Sequence, residues 1–171
     1  MQEDTATGAL AYQQKVKTLE QARATCEAYH REGLRIVFTN GCFDLLHPGH
    51  VRYLALAREL GDKLVVGLNA DESVRRLKGD SRPLQHQEAR AEVLAALACV
   101  DHVVVFPQDD PLALIVELRP DVLAKGADWA PDEIVGGKEV LSWGGEVSRI
   151  ELVEGQSTSQ LVEKARQQTD G

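Results

Sequence analysis

The chain has 171 residues, enough for one domain with a full hydrophobic core and too few for two ordinary ones. With 27 acidic against 19 basic side chains the formal net charge is -8, which argues against a nucleic-acid binder. No apolar run approaches the ~18 residues that a membrane span needs, and Met1-Gln2-Glu3-Asp4 lacks the basic-then-apolar opening of a signal peptide, so a cytoplasmic protein with no membrane association is expected.

Residues 1 to about 14 are polar and patternless. Val16, Leu19, Ala22, Cys26 and Tyr29 then recur every three to four residues and predict a helix that ends near Gly33. From there strands and helices alternate. Strands are predicted at 34–39, 63–69, 102–106, 121–124 and 146–151. Helices are predicted at 49–60, from about 71, at 86–98, 111–118 and 137–143, and from about 157 to close the chain. Such alternation with short connections implies right-handed crossovers and an α/β fold, a Rossmann-like doubly wound parallel sheet in a single domain with an extra N-terminal helix. The organisation expected is a tail and helix over 1–33, packed on a core domain over 34–168. Ligands of such sheets bind outside the carboxyl ends of the strands, where strand order reverses.

The run from Thr39 to His50, Thr-Asn-Gly-Cys-Phe-Asp-Leu-Leu-His-Pro-Gly-His, lies at the first of these strand ends. A strand that turns through glycine into a helix leaves unpaired N–H groups and the positive helix end facing an anion. His47 and His50, at i and i+3, fall on nearly the same side of the first helical turn, where both imidazoles can donate to phosphate oxygens. A second feature answers the acidic overall charge. Arg75-Arg76-Leu77-Lys78-Gly79-Asp80-Ser81-Arg82 carries four basic residues against one acidic, and a glycine-containing basic loop at 78–84 is expected to close over phosphates. Cys26, Cys42 and Cys99 are odd in number and widely spaced, so neither a disulfide framework nor a zinc site is suggested.

Thr39-Asn40-Gly41-x-Phe43-Asp44-x-x-His47-x-Gly49-His50 resembles the signature of the cytidylyltransferase-like nucleotidyltransferases. Further motifs follow in the order seen in the adenylyltransferase domain of bacterial ADP-heptose synthases: Lys78-Gly79-Asp80-Ser81-Arg82-Pro83, Lys125-Gly126-Ala127-Asp128-Trp129, Gly137-Lys138-Glu139-Val140 and Gly155-Gln156-Ser157-Thr158-Ser159. The likeness covers about 34 to 166. It departs only in Ser159, where relatives commonly have threonine, and a hydroxyl is retained.

This resemblance implies transfer of AMP from ATP to D-glycero-D-manno-heptose 1-phosphate, giving ADP-heptose and pyrophosphate. The alternative is a CTP-dependent cytidylyltransferase acting on glycerol 3-phosphate or a similar alcohol phosphate. In the first reading His47 and His50 meet the triphosphate, with His50 placed for the charge that develops at the α-phosphorus. Lys78 reaches the β- and γ-phosphates and Arg82 assists. Nucleotide contacts are implied at Thr39, Asn40, Gly41, Phe43 and Gly49, at Lys125, Gly126 and Asp128, and at Ser157 and Thr158, where simple helix capping is compatible with phosphate binding. Asp44 either orients the turn or contacts the acceptor sugar; Arg90, in Glu88-Ala89-Arg90, either reaches the active site or makes a surface salt bridge. Mg²⁺ is expected on the substrate phosphates, with no protein metal ligand named. The resemblance further implies a homodimer or higher oligomer. Relatives often carry a fused sugar kinase, for which 171 residues leave no room, so a stand-alone enzyme is expected.

Overall fold

Parallel strands form one sheet with helices on both faces in the computed structural model, which describes residues 10–130 and 133–151 together with Val162. A 3-10 helix, Ala11–Lys15, leads into β1 (Val16–Lys17) and α1 (Leu19–Arg31). Then follow β2 (Ile36–Gly41), α2 (Pro48–Arg58), β3 (Lys63–Asn69), α3 (Asp71–Lys78) and α4 (Gln87–Ala95). The last described elements are β4 (His102–Phe106), α5 (Leu112–Leu118), β5 (Val122–Gly126), α6 (Gly137–Ser142) and β6 (Glu146–Ile150). The closing helix expected from about 157 lies outside the described residues, as do Ser157 and Thr158.

The strand order is β1-β4-β3-β2-β5-β6, and every neighbouring pair is parallel. Alternating side chains explain the double winding. Ile36 and Phe38 of β2 and Val65 of β3 pack with Ala22, Cys26 and Ile115 on one face; Val37, Leu64, Val66 and Leu68 pack with Leu54 and Leu94 on the other. Local signals set the helix ends. Thr18 accepts from the Gln21 amide at 3.2 Å while Gln21 Oε1 accepts from the Thr18 amide at 3.0 Å, a reciprocal cap at the start of α1. At its end Gly33, at φ 73, lets the Leu34 amide fold back onto the Tyr29 carbonyl at 2.9 Å. Pro48 opens α2 at its first position, where a missing N–H costs nothing.

Two features differ from the sequence expectation. β1 pairs Val16 with Val103 and Lys17 with Val104 and so adds a strand at the sheet edge, in a segment read from sequence only as tail and helix. A two-residue strand carries no periodicity to detect. Lys78, expected to open the basic loop, is instead the last residue of α3, which also carries Arg75 and Arg76 as the helix expected from about 71 implies; the loop begins at Gly79.

The arrangement opens a cleft at the point where strand order reverses. β2 pairs with β3 along its whole length, from Ile36 opposite Lys63 to Gly41 opposite Leu68. With β5 it pairs only at Val37 opposite Val122 and Phe38 opposite Leu123. The carboxyl ends of β2 and β5 therefore part, and ligand space lies between them. Among the described residues no helix is long and apolar enough to cross a membrane.

Candidate active site

The loop after β2 is shaped by Gly41 and Phe43. Phe43 adopts φ 43, and its ring lies 2.9 Å from where a Cβ on Gly41 would stand, so only glycine fits beneath it. The Phe43 ring in turn meets His50 edge-on, centroids 5.3 Å apart. His47 is the N-cap residue of α2 and His50 lies one turn inside it. Their rings stack with centroids 3.8 Å apart and planes 25° from parallel.

Burial lowers the pKa of His47. Burial, followed by the neighbouring His47 and Lys78, pushes His50 down to about 4, against a backbone bond at Leu45 that favours its charged form. Both imidazoles are therefore neutral near neutral pH, and among the described residues the buried Nδ1 atom of each has no hydrogen-bond partner. A buried polar atom without a partner calls for an explanation, and an incoming anion supplies one here.

Lys125 faces them from β5. Its ammonium donates to Asn40 Oδ1 across the gap between the two strands and lies 6.0 Å from the centre of the Trp129 ring. No carboxylate is paired with it among the described residues, and burial lowers it to about 8. The cleft between these walls has a volume of about 620 Å³. Asn40, Gly41, Phe43, Asp44, His47, Gly49, His50, Lys78, Lys125, Gly126 and Asp128, all named from sequence, line it together.

Three other expected site residues take different positions. Thr39 is fully buried: its hydroxyl and that of Tyr53 are 2.7 Å apart, and Tyr53 donates to the Ala124 carbonyl at 3.1 Å, so the pair braces β2, α2 and β5. Arg82 donates to Asp44 Oδ2 at 2.6 Å. Arg90 makes no surface salt bridge and does not line the cleft; it is wholly buried beneath the loop after β2. Sequence reading missed Tyr53, Asn69, Asp109 and Asp110, which also line the cleft. The available signal was positional, since Asn69 ends β3 and Asp109-Asp110-Pro111 follows β4 at the same sheet edge as the histidines.

Comparison with known proteins places this geometry among related ones. The family described as cytidylyltransferase-like matches residues 38–167. The bifunctional protein HldE of Syntrophotalea carbinolica is 54% identical over 164 residues, covering 96% of this chain and 34% of that protein. The protein of the same name from Acidiphilium cryptum is 56% identical over 161 residues, 94% of this chain and 32% of its own length. The chain thus spans about a third of the length of these relatives. Among solved structures, a lipopolysaccharide core biosynthesis protein from Thermoplasma volcanium is similar with a TM-score of 0.59 and 29% identity, covering 72% of this chain and 100% of that one. A pantoate-beta-alanine ligase from Francisella tularensis, at a TM-score of 0.57 and 13% identity over 88% of this chain and 76% of its own, shares the fold.

Proposed function

Because this chain belongs to the cytidylyltransferase-like family, we propose that it is a nucleotidyltransferase which moves AMP from ATP to D-glycero-D-manno-heptose 1-phosphate, releasing pyrophosphate and ADP-heptose for a lipopolysaccharide core or related glycan. The observation that carries the reading is the stacked, neutral His47–His50 pair at the start of α2, facing across the cleft the ammonium of Lys125, which has no carboxylate partner among the described residues. Such a site suits a polyphosphate, which would offer partners to the buried Nδ1 atoms of the two imidazoles. The heptose acceptor is favoured by the ordered motifs at 78–83, 125–129 and 137–140, and by relatives named HldE at 54 to 56% identity.

In this reaction the acceptor phosphate is already an anionic nucleophile, so no general base is required. Catalysis rests on in-line positioning and on neutralising the α-phosphoryl group and the departing pyrophosphate. His50 is assigned to the developing charge, His47 and Lys125 to the triphosphate, and Lys78, at the end of α3, to the β- and γ-phosphates. Asp128 is assigned to the ribose hydroxyls. Among the described residues no three His, Cys, Asp or Glu side chains converge on a metal position. The donor set suits Mg²⁺ carried on the phosphates, with Asp110 and Asp128 as the cleft carboxylates free of ion pairs among the described residues. That ion supplies charge neutralisation. We further propose that 34–168 carries the chemistry, with the preceding helix packed on it, and that the enzyme is a cytoplasmic homo-oligomer.

The test is pyrophosphate release over ATP, CTP, GTP and UTP against several sugar 1-phosphates and glycerol 3-phosphate. ATP with a heptose 1-phosphate is expected to be the productive pair, because a site built to bond several hydroxyls is left with unpaired polar groups by a smaller acceptor. Efficient turnover of CTP with glycerol 3-phosphate, and none with ATP and either heptose 1-phosphate anomer, would overturn the assignment.

A further inference from the structure

Asp44 follows the phosphate turn directly, and its side chain is only 3% exposed. A buried carboxylate is tolerated when it is paired and hydrogen-bonded, and this one is filled from a single direction. Oδ2 accepts from Arg82 Nη1 at 2.6 Å, while Oδ1 accepts from the backbone amides of Leu84 at 2.8 Å and Gln85 at 3.1 Å. Three of roughly four acceptor positions are thereby used by one stretch of chain.

Arg90 completes the arrangement from the first turn of α4, with a side chain that is 0% exposed. Its Nε donates to the Gln85 carbonyl at 3.0 Å, and Nη1 to the carbonyls of Cys42 at 2.6 Å and Asn69 at 2.9 Å. Nη2 donates to Asp71 Oδ1 at 2.7 Å. Burial alone would raise the Asp71 carboxyl, but the bonds from Arg90 and His86 hold it below its ordinary value, as expected of a carboxylate that stays charged. Gln85 is thus held by its amide through Asp44 and by its carbonyl through Arg90. The same guanidinium grips the loop that leads to His47 and the turn that starts α3.

Lys78 ends α3, and Arg82 is the next residue whose side chain is anchored, so Gly79, Asp80 and Ser81 alone separate the two. Even that stretch is turned tightly, with the Arg82 amide on the Gly79 carbonyl at 3.0 Å and Gly79 at φ 93.

We propose that Asp44, Arg82 and Arg90 are positioning residues, a clasp that locks residues 82–85 to the histidine loop so that Lys78, His47 and His50 address one phosphate chain, without themselves touching substrate. The proposal rests on the adenylyl-transfer reading for its kinetic consequence, though not for its structural one. Loss of the clasp misplaces Lys78 relative to the histidines; displacements of that kind lower turnover without removing a binding contact.

The experiment compares Asp44→Asn, Arg82→Gln and Arg82→Lys with the unsubstituted chain, Arg82→Gln serving where Asp44→Asn fails to fold. In the ligand-free protein, amide hydrogen exchange at Leu84 and Gln85 is expected to accelerate in Asp44→Asn and Arg82→Gln, and less in Arg82→Lys. In turnover, kcat should fall about 10- to 100-fold with KM for both substrates within about threefold. In a Lys78→Ala background Asp44→Asn or Arg82→Gln should cost less than about threefold, because the residue through which the clasp acts is gone. If exchange at Leu84 and Gln85 is unchanged, the clasp is wrong whatever the substrates are. If instead KM for the acceptor rises with kcat preserved, and the loss multiplies in full with that of Lys78→Ala, the substituted residue is an acceptor ligand and the proposal is overturned. Absence of turnover in the unsubstituted chain would count against the proposed reaction and leave the exchange result to decide the clasp.

Discussion

The imidazoles of His47 and His50 lie face to face at the first turn of α2, their centroids 3.8 Å apart. Two protonated rings at that separation would repel each other inside a buried site, and the neighbouring Lys78 adds to the effect. Burial first, and then this repulsion, keep the pair uncharged. Neutral donors preorganised in this way stabilise charge as it develops, with little reorganisation at the moment of reaction.

His50→Ala is expected to lower kcat about 10²- to 10³-fold, the usual loss for one transition-state donor, with far less change in nucleotide affinity. Steady-state kinetics together with equilibrium nucleotide binding separate the two. A folded variant with near-normal turnover would remove His50 from the mechanism.

The same burial makes stability depend on pH. His50 titrates at about 4 in the folded chain against 6.5 for the free side chain. Above 6.5 neither state binds the proton and the term vanishes. As pH falls from 6.5 towards 4 the unfolded chain takes up a proton that the folded chain refuses, so stability declines across that window. Urea midpoints measured from pH 7.5 to 4 should fall, and His50→Gln should flatten the slope; an unchanged slope would place the titration elsewhere.

Lys125 provides a complementary signal at higher pH. Its ammonium is lowered to about 8 by burial, so part of the free protein carries a neutral amine there. Bound phosphate favours the charged form, and nucleotide binding at pH 8.5 should draw in a proton. Calorimetry in two buffers of different ionisation enthalpy measures this uptake directly. Lys125→Met should abolish it and weaken binding, whereas equal uptake in both proteins would show that Lys125 does not meet the phosphates.

Gly41→Ala tests the shape of the turn. The added methyl would stand 2.9 Å from the Phe43 ring, which itself rests against His50. Overpacking of this kind costs about 1 to 3 kcal/mol, and the ring that must give way is the one that packs against His50. Denaturation should show that loss along with reduced turnover. Unaltered stability and turnover would mean that the turn accommodates a side chain freely.

The strands other than the two-residue β1 were legible because their side chains make their own case. Runs such as Leu64-Val65-Val66 and Val103-Val104-Val105 suit only a sheet covered on both faces, and the expected spans 63–69 and 102–106 are those observed. The histidines were legible for a similar local reason, since i and i+3 spacing at a helix start fixes their proximity. What the sequence could not express was which distant carbonyl or carboxylate each polar side chain would meet. Asp44 and Arg82, 38 residues apart, look like two candidate ligands in sequence, and in the fold they bind each other. Arg90 reads in sequence as either an active-site arginine or a surface salt bridge, yet it is buried because α4 packs where Cys42, Asn69 and Gln85 present carbonyls together. Strand order decided these partners: placing β3 on one side of β2 and β5 on the other brings four separate loops to one sheet edge. Periodicity and short-range spacing report local geometry, whereas the convergence of those loops depends on long-range pairing that no window of sequence contains.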